Sequence, residues 1–429
     1  MKVIEYPPKA EWADALKRPT LDQATLEGKI LDILHHVQTR GDAALIEYAQ
    51  QWDGITLTDI RVSTSVLEAA AAQVEEPLKA AIQTAYQNIK AFHLAQQEKE
   101  IRVETMPGVT CWRKSLPIQK VGLYIPGGTA PLFSTLLMLG IPATLAGCTE
   151  IVLCTPPSKQ GTIHPAILYT ASLLGITTVI QAGGAQAIAA MAFGTASVPK
   201  VYKIFGPGNQ YVTAAKQAVT RYGVAIDMPA GPSEVAVVAD ATANAAFVAA
   251  DLLSQAEHGK DSQVVLITDS PSFIEAVQQS LKEQLDVLPR KEYAAAALQN
   301  SKVLLVQDLL EEGMEMMNTY APEHLILQVS DTAAYVNRVV NAGSVFIGSY
   351  TPESAGDYAS GTNHTLPTNG YATAYAGVSL DSFVRKVTFQ EITPEGLQIL
   401  GPVIETMAAA ESLDAHKNAV SIRLQSLQK

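Results

Sequence analysis

From residue 120 onward the chain alternates short apolar runs with glycine turns and helical stretches, and few folds accept that pattern. Val121-Gly-Leu-Tyr-Ile125, Ile151-Val-Leu-Cys154, Thr177-Thr-Val-Ile180 and Lys203-Ile-Phe205 read as strands. Their apolar residues run on without alternation, as in strands covered on both faces. Helical stretches near residues 133–139, 165–174, 183–193 and 210–222 separate them. Short strands divided by helices imply βαβ units and a parallel sheet. The pattern then recurs, with strands at 235–238, 264–267, 302–306, 325–327 and 344–346. Ile151-Val-Leu-Cys-Thr155 is similar to Val264-Val-Leu-Ile-Thr268, and a Leu-Leu pair lies in the helix before each (Leu136-Leu137, Leu252-Leu253). The expected fold class is therefore α/β, with two related parallel-sheet domains. The glycine loops Pro126-Gly-Gly-Thr129 and Gly206-Pro-Gly-Asn209 follow strands, where open α/β sheets place ligands.

The flanking regions are plainer. Residues 1–21 read as an irregular arm, 22–50 and 67–97 as helical blocks, and His35, His36 and His93 as ordinary helix residues. Thr393-Pro394-Glu395 starts a helix, with Thr as cap and Pro first. A last helix carries an apolar stripe of Leu413, Val420, Leu424 and Leu427, with His416 on it. Such a stripe must dock on its own body or on a partner. The 429 residues carry a net charge of −12, which argues against a phosphate-backbone partner such as nucleic acid. No signal-peptide core or membrane-length apolar run is present, so no membrane association and a cytoplasmic location are expected. Cys111, Cys148 and Cys154 form no C-x-x-C pair, which fits a reducing compartment.

Four places could carry chemistry. Asp251-Leu-Leu-Ser-Gln-Ala-Glu-His-Gly259 reads as a helix end stopped by Gly259, placing Asp251, Gln255 and His258 on one face. Tyr320-Ala-Pro-Glu323-His324 sets an acid beside a base at a turn. Residues 350–364 read as a long polar loop holding Asp357 and His364. His416 is the fourth. Together Gln255, His258, Asp357 and His416 suit zinc or a similar divalent ion, although no local spacing shows that they meet. Neither G-x-G-x-x-G nor a P-loop signature occurs.

These strings, in this order, resemble the histidinol dehydrogenase family. The resemblance is carried by 121–128 (VGLYIPGG), 183–190 (GGAQAIAA), 205–209 (FGPGN), 227–234 (DMPAGPSE), 251–259, 320–325, 356–364 (GDYASGTNH) and 413–416 (LDAH). It implies a zinc-dependent homodimer with shared active sites, which oxidises L-histidinol to L-histidine with two NAD. It implies two incomplete Rossmann-like domains, with small N- and C-terminal segments that exchange between subunits. By motif, Glu323 and His324 would be the catalytic pair, Glu323 activating water and His324 serving as base. Gln255, His258, Asp357 and His416 would hold zinc, the last from the partner subunit. Substrate contacts would come from Ser233, Gln255, His258, His324, Asp357, His364, Glu411 and His416, and NAD contacts from Tyr124, Gln186 and Asn209. The expected division is an arm over 1–21, a first α/β domain over 22–120 and 235–370, and a second over 121–234. A helical tail over 371–429 completes it. The alternatives are a related zinc- and NAD-dependent dehydrogenase of a small sulfonated diol, a zinc hydrolase, and a non-catalytic metal-binding subunit.

Overall fold

The computed structural model describes residues 1–19, 23–127 and 130–428. The expected boundary at 21–22 and the end of the 126–129 turn lie outside the described residues. The strands are β1 (Lys2–Glu5), β2 (Ile101–Met106), β3 (Val109–Pro117), β4 (Lys120–Tyr124), β5 (Glu150–Thr155), β6 (Thr178–Gln181) and β7 (Lys203–Phe205). They continue with β8 (Ala225–Ile226), β9 (Glu234–Ala239), β10 (Gln263–Thr268), β11 (Lys302–Leu305), β12 (His324–Gln328), β13 (Ser344–Ile347) and β14 (Val384–Ile392).

Two parallel sheets result, ordered β6-β5-β4-β7-β8 and β1-β11-β10-β9-β12-β13. Numbered in chain order, strands β4–β8 run 3-2-1-4-5 across the first sheet, and β9–β13 run 3-2-1-4-5 across the second. This is half of a doubly wound fold, used twice. β5 and β10 hold the same place in their sheets, so the similarity of Ile151–Thr155 to Val264–Thr268 falls on equivalent strands.

Alternate residues feed opposite faces of each sheet. Val235, Val237 and Ala239 pack under the helices Ala245–Ala256 and Pro271–Val287, while Ala236 and Val238 face Trp12, Leu16, Met317 and Tyr320. The arm thus belongs to this second sheet, which it extends through β1 beside β11. Residues 22–120 do not belong with 235–370 as expected. Ile30, Leu34 and Val37 of helix Gln23–Arg40 pack with Tyr124, Val152 and Ile204, on one face of the first sheet. Ile82 and Ile89 of helix Glu76–Leu94 pack with Val121, Leu123 and Phe205 on the other. Burying each such side chain contributes about 1.5–3 kcal/mol, which fixes these helices to the first sheet.

The C-terminal region is not purely helical either. β14 pairs antiparallel with β3 along its whole length, and β2 completes a three-stranded sheet. Helices Pro394–Ala410 and Asp414–Ser426 follow and pack on each other. Among the described residues no helix is long and apolar enough to cross a membrane.

Candidate active site

The C-terminal ends of β4 and β7 and the N-terminal ends of β9 and β12 border one cavity of about 1050 Å³. From the first sheet it is lined by Pro126, Pro207, Gly208 and Asn209. From the second it receives Ser233, Gln255, His258, Glu323, His324, Asp357 and His364. The glycine loops therefore sit at strand C-termini as expected, but the acid/base pair enters from the opposite strand ends of the other sheet.

Helix Ala245–Ala256 brings in the first donors. Asn244 caps it, its side-chain oxygen accepting from the Ala246 and Phe247 amides at 2.9 and 3.4 Å. The helix ends at Ala256 with Glu257 still right-handed, and Gly259 is absent from the positive-φ glycines. Gly259 is thus not the left-handed cap expected; the helix ends earlier, and His258 lies in the bend beyond it. Gln255 is only 1% exposed, and neither its amide oxygen nor its nitrogen has a partner among the described residues. Asp251 does not line the cavity. It is buried and accepts from Gln328 Nε2 at 3.0 Å.

Ala321, at φ +49°, ends helix Met314–Tyr320 and turns the chain through Pro322 into β12. Glu323 and His324 stand at the head of that strand, both buried. Glu323 Oε2 accepts from the Glu234 amide at 3.0 Å. Burial pushes the Glu323 pKa up to about 8, against the pull of His324. His324 Nδ1 lies 3.6 Å from Glu353 Oε1 and 3.7 Å from Glu323 Oε2, and its Nε2 lies 3.6 Å from Asp357 Oδ1. Burial would lower its pKa, but Glu353, Glu323 and Asp357 outweigh that and raise it to about 10. Asp357 moves the other way: burial alone would raise its pKa, and His324 brings it down.

Residues 350–364 are not a continuous loop. Helix Glu353–Tyr358 lies within them, so Glu353 and Asp357 stand one turn apart on one face. His258, Glu353 and Asp357 bring ligand atoms within 4.8 Å of one another. His364 Nδ1 donates to the Asp357 carbonyl at 2.7 Å, so its Nε2 accepts from the Thr135 hydroxyl at 3.0 Å. Desolvation lowers its pKa, which keeps the ring neutral.

The other expected contacts are spread more widely. Asn209 lines the cavity and caps helix Gln210–Val219, its oxygen accepting from the Tyr211 and Val212 amides. Tyr124 and Gln186 are buried and do not line it; the Tyr124 hydroxyl accepts from the Gly184 amide at 3.0 Å. Glu411 and His416 are exposed on the C-terminal helix pair and outside the cavity, so this chain alone does not bring His416 to Gln255, His258 and Asp357.

A family model described as histidinol dehydrogenase matches residues 16–424. A histidinol dehydrogenase of Bacteroides thetaiotaomicron is 60% identical, with 100% of both chains covered, and one of Shewanella oneidensis is 54% identical, with 97% of each covered. A crystal structure of histidinol dehydrogenase from Elizabethkingia anophelis superposes with a TM-score of 0.97 at 54% identity, covering 100% of this chain and 99% of that one. The chain belongs to the histidinol dehydrogenase family. Membership makes it an oxidoreductase.

For a member of this family the donor set is chemically suitable. Gln255 offers an amide oxygen with no other partner, Asp357 a carboxylate held ionised, and His258 an imidazole, all facing one cavity. Two polar residues escaped the sequence reading. Glu353 is 1% exposed, with neither carboxylate oxygen hydrogen-bonded among the described residues. His93, read as an ordinary helix residue, is fully buried, with Nε2 3.3 Å from Asn363 Nδ2, next to His364. Cys148 and Cys154 offer no activated nucleophile, since burial pushes the Cys148 thiol up to about 12 and raises Cys154 too.

Proposed function

We propose that this chain oxidises L-histidinol to L-histidine through L-histidinaldehyde, consuming two NAD and one water, as the closing steps of histidine biosynthesis in the cytoplasm. The observation that carries the reading is the set of buried polar atoms on Gln255 and His324 that have no partner among the described residues, lining one cavity together with Glu323 and backed by the equally unpartnered Glu353. Buried polar groups without partners are costly, and a site that binds a polar substrate supplies the missing ones.

In this reading His324 takes the alcohol proton, and NAD receives the hydride in each half-reaction. The neighbouring carboxylates hold His324 protonated in the free enzyme; once they are engaged, Glu323 with water and Asp357 in the ligand set, the ring gives up that proton and can take the one on the alcohol. Glu323 removes a proton from water as it attacks the aldehyde, and its raised pKa suits that task near neutral pH. Ser233 and His364 line the cavity on the substrate side, and Asn209 lines it at the C-terminal edge of β4 and β7, where NAD would be held. Tyr124 and Gln186 act from behind that edge.

Gln255, His258 and Asp357 hold zinc together with His416 of a second copy, and Glu411 comes from the same helix pair. When bound, zinc supplies a fixed positive anchor for the imidazole and amine nitrogens of the substrate. The homodimer then shares its active sites. A sulfonated diol is a poorer substrate class, because the cluster around His324 presents three carboxylates where a sulfonate needs cations.

The test separates the half-reactions. Glu323→Gln is expected to oxidise histidinol slowly while the aldehyde step falls by about 10²–10⁴-fold, the usual scale of general-base catalysis. Equal loss in both steps contradicts the assignment of Glu323 as water activator.

A further inference from the structure

We propose that Glu353 is a positioning residue for His324: its carboxylate holds Nδ1, so that Nε2 faces the reacting atoms. The inference rests on the reading of His324 as the acid/base group.

Glu353 is 1% exposed, neither of its oxygens has a hydrogen bond among the described residues, and it does not line the cavity. His258 and Asp357, which it neighbours, do line it. Glu353 therefore lies one layer deeper than these two residues, within reach of the imidazole and not of the cavity. Its Oε1 is 3.6 Å from Nδ1, and Nδ1 itself has no hydrogen-bond partner among the described residues. Such contacts tighten into hydrogen bonds when substrate closes the site. The competing carboxylate is Glu323, whose Oε2 lies 3.7 Å away but already accepts the Glu234 amide. Labour is thus divided: one carboxylate orients the ring and the other is left for water.

Packing fixes the arrangement. A Cβ on Gly356 would lie 2.7 Å from the Phe346 ring, so only glycine lets helix Glu353–Tyr358 press this closely on β13. The same Phe346 ring lies 5.8 Å from the His324 ring, centroid to centroid. The imidazole thus has both Phe346 and the Glu353 carboxylate as neighbours. A carboxylate on Nδ1 selects the tautomer whose Nε2 is free to take a proton.

The experiment measures kcat, KM and zinc content of the full-length enzyme for E353Q, E353D, H324N and E353Q/H324N, in both half-reactions. E353Q is expected to lower kcat in both by about 10²-fold, within the range of acid–base effects. Zinc content and KM stay at the parent level, and E353D recovers part of the loss. In the H324N background E353Q changes kcat by less than about twofold, because residues that act as a unit are not additive. Loss of zinc, multiplicative loss in the H324N background, or parent-like kcat in E353Q each overturns the proposal. If E353Q does not fold, E353D decides alone, with lowered kcat at full zinc content supporting the proposal and parent-like kcat or lost zinc overturning it. A parent enzyme inert toward histidinol contradicts the proposed function instead.

Discussion

Glu323 and His324 are neighbours in the chain yet are held by different means. Glu323 is tied to a backbone amide at the head of β9, whereas the His324 ring is surrounded by carboxylates and has no hydrogen-bond partner among the described residues. The pair itself was legible, because an acid beside a base at a turn is uncommon enough to read. Glu353 was not, although a signal existed. Thr351-Pro352-Glu353 repeats the triplet Thr393-Pro394-Glu395, which was read as a helix start. The two differ in their caps: Thr393 accepts from the Gly396 amide, whereas the Thr351 hydroxyl donates to the Ile347 carbonyl and Pro352 holds the cap position. Glycines on either side of Thr351-Pro-Glu353 hid a helix of six residues. At this scale His258→Asn is expected to reduce bound zinc by at least about tenfold, the lower end of losses at metal sites. Metal analysis after gel filtration checks this, and full retention removes His258 from the ligand set.

At the scale of elements, legibility followed burial. The strands of the parallel sheets are continuous apolar runs, and β9 and β10 are buried at every position. β2, β3 and β14 carry Arg, Lys and Glu and are largely exposed or half-buried, so no apolar run marks them. β14 pairs with β3 across nearly 300 residues of sequence, which local patterning does not register. The assignment of helices 23–94 failed for a related reason. Their apolar stripes announce burial but not the sheet that buries them. Asp240 offers a test of how elements are joined. It follows β9 and accepts from the Ser330 amide and hydroxyl at 2.7 and 2.8 Å, beyond the end of β12, and from Thr242 as well. Burial would raise its pKa, but these bonds lower it below the ordinary 3.8. Its stabilisation is thus fully present above that pH and is lost as pH falls through the lower native value. Asp240→Ala is expected to cost about 1–3 kcal/mol at neutral pH. The gap between parent and variant should narrow below about pH 4. Denaturant melts at both pH values check this, and a gap independent of pH contradicts it.

For the whole molecule, two halves with one strand order meet so that opposite strand ends share a cavity. One half offers its C-terminal loops and the other its acid/base pair, which no single-domain motif could have revealed. The C-terminal helices leave Ile399, Val403, Met407, Leu413 and Ile422 exposed, beside His416. An apolar stripe of this kind fits the proposal that they reach a second copy. Hybrid dimers of His416→Asn with Glu323→Gln then contain one intact site, assembled from the unaltered residue of each chain. Mixed subunits should recover activity that neither variant has alone. Hybrids that form but stay inactive show that the ligand is not shared.

The central claim is zinc-dependent, two-step oxidation of histidinol, and one assay addresses it directly. NADH formed per histidinol consumed is measured by absorbance, before and after chelation and again after zinc is restored. The account predicts two NADH per histidinol, loss of turnover on chelation and its return with zinc. One NADH per histidinol, or turnover indifferent to chelation, contradicts it.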